Sequence, residues 1–140
     1  MREIYRVLDA NLNRLREGLR VLEEVSRLVL EDGEMTARVK DLRHRATAAA
    51  AKWPGGIIEL IGARESATDV GAGSWTPGEK SRAGLVALTA ANCKRVQEAA
   101  RVLEEFGKLS AGVDAREFKE LRFTFYELEK DLLKEVNGGI

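Results

Sequence analysis

The sequence predicts an all-α fold: four main helices forming two pseudo-twofold-related helical hairpins, joined by a long loop. Apolar residues recur at helical spacing through most of the chain. Two prolines and 6% aromatic residues argue for helix and against a β-sandwich. One motif also occurs twice, an internal duplication at the level of sequence.

Over about residues 3–31, Leu8, Leu12, Leu15, Leu19, Leu22 and Val29 share one helical stripe. Asp32-Gly33 is expected to stop that helix through a C-terminal glycine. A second helix is expected over about 34–52, ending before Trp53-Pro54-Gly55-Gly56. Residues 53–76 read as a loop, rich in glycine and small polar residues, with Ile57–Ile61 its apolar patch. A loop of this length in a compact domain more often has a function than not. Thr76-Pro77-Gly78-Glu79 reads as a capping box with proline at the first helical position. It opens a third helix expected to last to about Leu109. Asp114-Ala115-Arg116-Glu117 is a second such box and opens a fourth helix, ending near Val136. A single domain is expected over 1–140, with repeat 1 at about 3–52 and repeat 2 at about 77–136.

The 140 residues suit one domain. Lys and Arg total 23 against 23 Asp and Glu, so no overall basic footprint points to nucleic acid. No apolar run reaches the roughly 20 residues a membrane span needs. The start at Met1 shows no apolar signal-peptide core. One Cys and one His cannot build a structural zinc site. The expectation is a soluble cytoplasmic protein with no nucleic-acid or membrane partner.

The repeat is Asn11-x-x-Arg14-x-x-Glu17-x-x-Arg20-Val21-Leu22-Glu23-Glu24 against Asn92-x-x-Arg95-x-x-Glu98-x-x-Arg101-Val102-Leu103-Glu104-Glu105. Lys40-Asp41-Leu42-Arg43 likewise matches Lys119-Glu120-Leu121-Arg122. At about 100° per residue, Asn11 falls inside the apolar arc and Arg14 on its flank. Asn92 and Arg95 repeat that intrusion. A polar group on a buried stripe needs hydrogen-bond partners. The pattern admits two roles. The Asn, Arg and Glu residues tie the hairpins together, or they form an anion and metal site. Forked guanidiniums suit phosphate, and the Glu17 and Glu98 carboxylates suit Mg²⁺. Arg43 and Arg122 either converge on a substrate or pair with the Glu residues of the repeat. Arg20 and Glu24 read as a solvated i,i+4 pair. Gly18 and Ala99 are equivalent and small, permitting a close crossing.

Gly73–Ser81 has a P-loop-like outline but fails as one, because Glu79 stands at the lysine position and no strand leads into it. His44 reads as a helix surface residue and Cys93, opposite Leu12 in the repeat, as a small core residue. Arg64, Asp69 and Gly71 either cover a ligand as a lid or belong to a solvated loop whose Asp caps its own turn.

Tyr5–Arg14, Arg16–Glu24, Leu42-Arg43-His44, Ala63-Arg64-Glu65 through Asp69-Val70-Gly71, and Arg95–Glu105 together resemble a helical family of thiamin biosynthesis. This is the monofunctional, second-type hydroxymethylpyrimidine phosphate kinase family, whose domain also occurs fused N-terminally to thiamine-phosphate synthase. The resemblance spans nearly the whole chain. It implies an enzyme, a phosphotransferase that uses ATP and Mg²⁺ to convert hydroxymethylpyrimidine phosphate to the diphosphate. The family pattern reads Arg-Asp-Thr where this chain has Arg64-Glu65-Ser66, leaving Arg64 and Asp69 the stronger lid residues. About 200 further residues would be needed for a synthase barrel.

On that implication Arg14, Glu17, Arg95 and Glu98 are the catalytic candidates. Asn11, Arg43, Arg64, Asp69, Asn92 and Arg122 are the substrate and phosphate ligands, and Glu17 and Glu98 hold Mg²⁺. A phosphate monoester acceptor is already anionic, so positioning and charge neutralisation dominate. Two rival classes remain. One is an all-α nucleoside triphosphate pyrophosphohydrolase, which would release pyrophosphate instead of ADP. The other is a non-catalytic docking or dimerisation domain for thiamine-phosphate synthase, presenting Phe118, Phe123, Phe125 and Tyr126, although the spacing of these residues favours the core for most of them. A single site, two sites, or a site shared across a homo-oligomer all fit the repeat.

Overall fold

The computed structural model describes residues 1–138. These form six α-helices: α1 (Arg2–Glu24), α2 (Gly33–Ala51), α3 (Gly56–Gly62), α4 (Pro77–Lys80), α5 (Leu85–Gly107) and α6 (Ala115–Val136). A π-turn at Val25–Val29 continues α1, and a 3₁₀ turn occupies Ser66–Thr68. Among the described residues there is no strand, and no helix is long and apolar enough to cross a membrane.

Four long helices carry the core. α1 packs on α2 and α5, α5 packs on α6, and α2 also meets α6. Leu8, Leu15, Leu19 and Leu22 of α1 are fully buried, as are Val39 of α2, Leu103 of α5, and Phe118, Phe125 and Leu132 of α6. Each fully buried large side chain contributes about 1.5–3 kcal/mol. Cys93 lies in this core as expected, and burial pushes its thiol up to about 12. Phe118 and Phe125 are core residues, whereas Phe123 and Tyr126 are exposed.

The first turn differs from its expectation. Gly33 does not stop the first helix; it is the first residue of α2, and Asp32 caps that helix by accepting the Met35 N–H at 2.9 Å. The left-handed residue is Glu31, at φ 53°, a conformation that costs a non-glycine residue energy.

The expected loop at 53–76 holds a helix. α3 forms because Leu60 can bury itself completely against α1 and α2. Trp53 is buried beside Phe118, with ring centroids 5.5 Å apart, and the Tyr5 hydroxyl donates to the Pro54 carbonyl at 3.3 Å. The third helix expected over 77–109 is broken. α4 spans four residues, all exposed, and the backbone is extended at Ser81. Its capping box forms, but a short helix needs a packed face to persist, and α4 buries nothing. Asp114 caps α6 by accepting the Arg116 N–H at 3.0 Å. Glu117, expected to complete that box, accepts from Lys52, just past the end of α2, at 3.3 Å instead.

The α1–α5 crossing is very close. A Cβ added at Gly18 would lie 2.9 Å from Val96 Cγ2 and 3.4 Å from the Asn92 carbonyl oxygen. Gly18 thus faces the middle of α5, while Val7 and Ala10 share a cavity with Val102. The two helices therefore run antiparallel.

Gly18→Val should cost about 1–3 kcal/mol by overpacking, read as a lower urea midpoint with an unchanged slope. The thiol of Cys93 gives a second expectation. Its folded pKa lies above the ordinary 9.0, so the folded state keeps a proton that the unfolded chain loses. The stability it contributes is complete below pH 9.0 and declines as the pH rises toward about 12. Cys93→Ala should flatten the alkaline fall of the urea midpoint.

Candidate functional site

Among the described residues, several clefts open along α1. The largest, about 800 Å³, lies between the first half of α1, Val102 of α5 and residues 64–69. Arg6, Asp9, Asn11, Arg14, Arg64 and Asp69 line it. The second, about 380 Å³, shares Asn11, Arg14 and Val102 and adds Arg82, Arg95 and Glu98. Together they make one groove along the α1–α5 seam, with Arg14 at its waist. The third, about 330 Å³, is lined by Asn13, Arg16, Glu17, Arg20 and Arg43.

Asn11 is buried, as its place on the apolar arc requires. Its amide nitrogen donates to the Val7 carbonyl at 2.9 Å, and its side-chain oxygen accepts from Arg14 at 3.4 Å. Asn92 makes the equivalent bond to the Leu88 carbonyl at 2.9 Å. In both helices the asparagine amide is held by the preceding turn. Arg14 and Arg95 are exposed at the groove, and neither has a carboxylate within ion-pair distance among the described residues.

Arg64 reaches its place through a contact that the sequence motifs do not signal. Its Nε and Nη2 donate to the two carboxylate oxygens of Asp9 at 2.8 and 2.9 Å. Asp9 is 5% exposed, and this hydrogen bond raises the Arg64 pKa above the ordinary arginine value. Paired forks of this kind fix geometry as well as charge. Arg2 similarly pairs with Glu65. The chain after α3 is thereby fastened to α1, and it forms one wall of the large cleft. Asp69 faces that cleft while accepting the Gly71 N–H at 2.8 Å.

Arg43 and Arg122 do not join Arg14 and Arg95. Arg43 donates through Nε and Nη2 to Glu23 at 3.1 and 3.0 Å. Arg122 donates through the same atoms to Glu104 at 2.5 and 3.2 Å, and through Nη1 to the Tyr126 hydroxyl. Its pairing with Glu104 raises the Arg122 pKa. Glu23 and Glu104 are buried, so these two arginines are engaged in stitching α1 to α2 and α5 to α6. Of the two roles the pattern admits for Arg43 and Arg122, the structure shows the pairing with the Glu residues of the repeat, and it does not bring them together with Arg14 and Arg95. Arg20–Glu24 and Arg101–Glu105, at 3.1 and 3.0 Å, are the exposed i,i+4 pairs.

Glu17 and Glu98 lie in different clefts. Among the described residues no group of three or more His, Cys, Asp or Glu side chains gathers as a metal site. Sequence reasoning missed Asp9, Glu23 and Glu104 as buried acids, although their spacing signals them. Asp9 follows Tyr5 by four and precedes Leu12 by three, and Glu23 follows Leu19 by four. Arg82 has no periodic signal at all.

A family model, described as the ThiD2 family, matches residues 6–131. The chain belongs to the ThiD2 family. Thiamine-phosphate synthase of Rhodopirellula baltica is 43% identical over 137 residues, 98% of this chain but 36% of that protein. The Nostoc and Synechocystis proteins of the same name are 42% and 45% identical over 130 residues, covering 35% and 36% of their lengths. The chain thus spans about a third of the length of the curated relatives it matches. No solved structure matches it. These relatives correct the expectation that the chain is an enzyme of the phosphotransferase class. They carry a synthase name, and this ThiD2 chain corresponds to about a third of their length.

The burial of the acids separates structural arginines from site arginines. Arg43→Met should cost about 3 kcal/mol, because it leaves Glu23 buried with only the Arg20 guanidinium at 3.7 Å. Arg14→Ala should change stability by under about 0.5 kcal/mol. Urea denaturation of both variants gives the comparison directly.

Proposed function

We propose that this ThiD2 chain serves thiamin biosynthesis as a helical domain associated with thiamine-phosphate synthase. One observation carries the reading: these three relatives keep over 40% identity along nearly all of this chain while devoting about two-thirds of their length to something else. The helical part therefore accompanies a synthase part in one polypeptide. On this reading residues 1–140 act as a single domain whose two halves arose by duplication. The matched motifs support it, as do the matching Glu23–Arg43 and Glu104–Arg122 pairs.

The α1–α5 groove is the functional surface in this proposal. A synthase of thiamine phosphate handles phosphate esters, and the groove offers Arg14 and Arg95 with their forks free of carboxylate partners. Guanidinium forks bind such groups through paired, charge-assisted hydrogen bonds. Asn11 orients Arg14, and the Asp9–Arg64 pair holds the outer wall. The groove would hold a phosphorylated ligand beside the synthase rather than transform it.

The test combines association and binding. This chain and a separately produced synthase portion, taken from the remainder of the Rhodopirellula relative, should co-elute on size exclusion. Calorimetry with thiamine phosphate should show binding that Arg14→Ala or Arg95→Ala weakens about tenfold, near 1.4 kcal/mol. Independent elution overturns the association. Unchanged affinity in both variants overturns the groove assignment.

A further inference from the structure

The chain between α3 and α5 buries almost nothing. Every residue from Ser66 to Gly84 is exposed. Two of them are large and apolar: Trp75 is 64% exposed, and Val70 has no cover at all. Single exposed apolar residues need no explanation, but a long ordered connection without a packed face does. Its one rigid piece is α4, closed by the Thr76–Glu79 box. Gly73 and Gly84 flank that piece with open space around both, so it can swing as a unit.

Both arms of this segment end at the α1–α5 groove. Asp69 lines the large cleft beside Arg64, which Asp9 holds to α1. Arg82 lines the second cleft with Arg14, Arg95 and Glu98. Trp75 stands six residues from Asp69 and seven from Arg82, so each arm reaches at most about 20–25 Å. That reach spans the mouth of the cleft. The cleft also offers an indole a seat, because Val7, Ala10 and Val102 are half-buried along it. Arg14 lines the same cleft, where a guanidinium can meet the face of the ring.

Arg82 links the segment to the groove's charge. Its Nη1 donates to the carbonyl oxygens of Gly78 and Ser81, within the segment itself. Its Nε and Nη2 have no partner among the described residues. In the second cleft three guanidiniums face the single carboxylate of Glu98. An anion placed there attracts Arg82 as well as Arg14 and Arg95.

We propose that residues 70–84 are a strap that closes the α1–α5 groove, with Arg82 the handle that a bound anion draws inward and Trp75 the cover. The inference rests on the groove being the functional surface. Neither residue belongs to the recurring motif. Arg64 takes no part in the motion, since its bond to Asp9 makes it a fixed wall. Closure adds a third guanidinium to the anion, and the indole excludes water, which strengthens every charged hydrogen bond inside.

Tryptophan fluorescence tests this directly. Trp53 is buried and Trp75 exposed, so Trp53→Phe leaves one reporter, on the strap. Thiamine phosphate should move its emission to the blue and cut its quenching by acrylamide at least about twofold. Arg82→Gln in the same background should abolish both changes and weaken the calorimetric affinity about tenfold. Should Trp53→Phe melt early, tryptic cleavage after Lys80 in the unaltered chain reads the same closure, and the ligand should slow it. Calorimetric binding with emission, quenching and cleavage all unmoved overturns the strap and leaves the groove assignment standing. An Arg82→Gln variant that binds and closes like its parent also overturns the proposal. No calorimetric binding overturns the groove assignment and the strap together.

Discussion

The close passage of α1 over α5 dictates where the polar side chains of both helices can go. At Gly18 the helices approach so nearly that a methyl group would lie 2.9 Å from Val96. Only small residues sit at such a seam, and Ala99, buried at the equivalent place in the repeat, meets the same demand. Long side chains flanking the seam cannot enter it. Arg14, Arg95 and Glu98 must turn outward along its edge, where they line a common cleft. The groove is therefore a by-product of tight packing: a dry, narrow seam whose polar neighbours are displaced to one rim. Asn11 is the exception, since it is buried and its amide is satisfied within its own helix.

The second constraint is charge. The formal balance is zero, but its distribution is uneven. Glu23 and Glu104 are buried, and each demands a guanidinium because an isolated buried carboxylate is strongly disfavoured. Arg43 and Arg122 meet that demand with two donors each. Arg64 does the same for buried Asp9, with a different result. It joins α1 to a segment with little core of its own, across 55 residues of sequence. The interhelical pairs hold helices that hydrophobic packing already brings together. The Asp9–Arg64 pair decides where the connecting chain lies, and so gives the large cleft its outer wall.

Much of this architecture is legible in the sequence, because its signals are periodic. The leucine stripe of α1 and the copied motif foretell four long helices, the burial of Asn11 and the inert place of Cys93. Non-periodic signals fail. α3 reads as loop because glycines flank the short run Ile57–Ile61, and only tertiary burial of Leu60 makes it a helix. The capping box at Thr76 is real, yet it starts a helix that nothing sustains beyond Lys80. Asp9 lies on the buried stripe by spacing, but its counterpart by register is Ala90, so the repeat holds no second copy to draw notice to it. The roles of Arg43 and Arg122 could not be decided from pattern, since an arginine facing a glutamate and one facing a phosphate occupy the same helical positions.

The departures from the repeat therefore carry more information about the site than its matches do. The matched pairs Glu23 with Arg43 and Glu104 with Arg122 satisfy the same packing problem twice and are explained by stability alone. Asp9 against Ala90 has no such explanation, because the second half folds without that carboxylate. Asp9 adds a tether that shapes the large cleft. It falls on α1, on the half joined to the connecting segment. A protein whose halves shared one task symmetrically would have no reason to place its tethering charge on one side in this way. On the proposed reading this polar asymmetry places ligand recognition chiefly in the first half, with α5 supplying Arg95 across the seam and the rest of the second half completing the core.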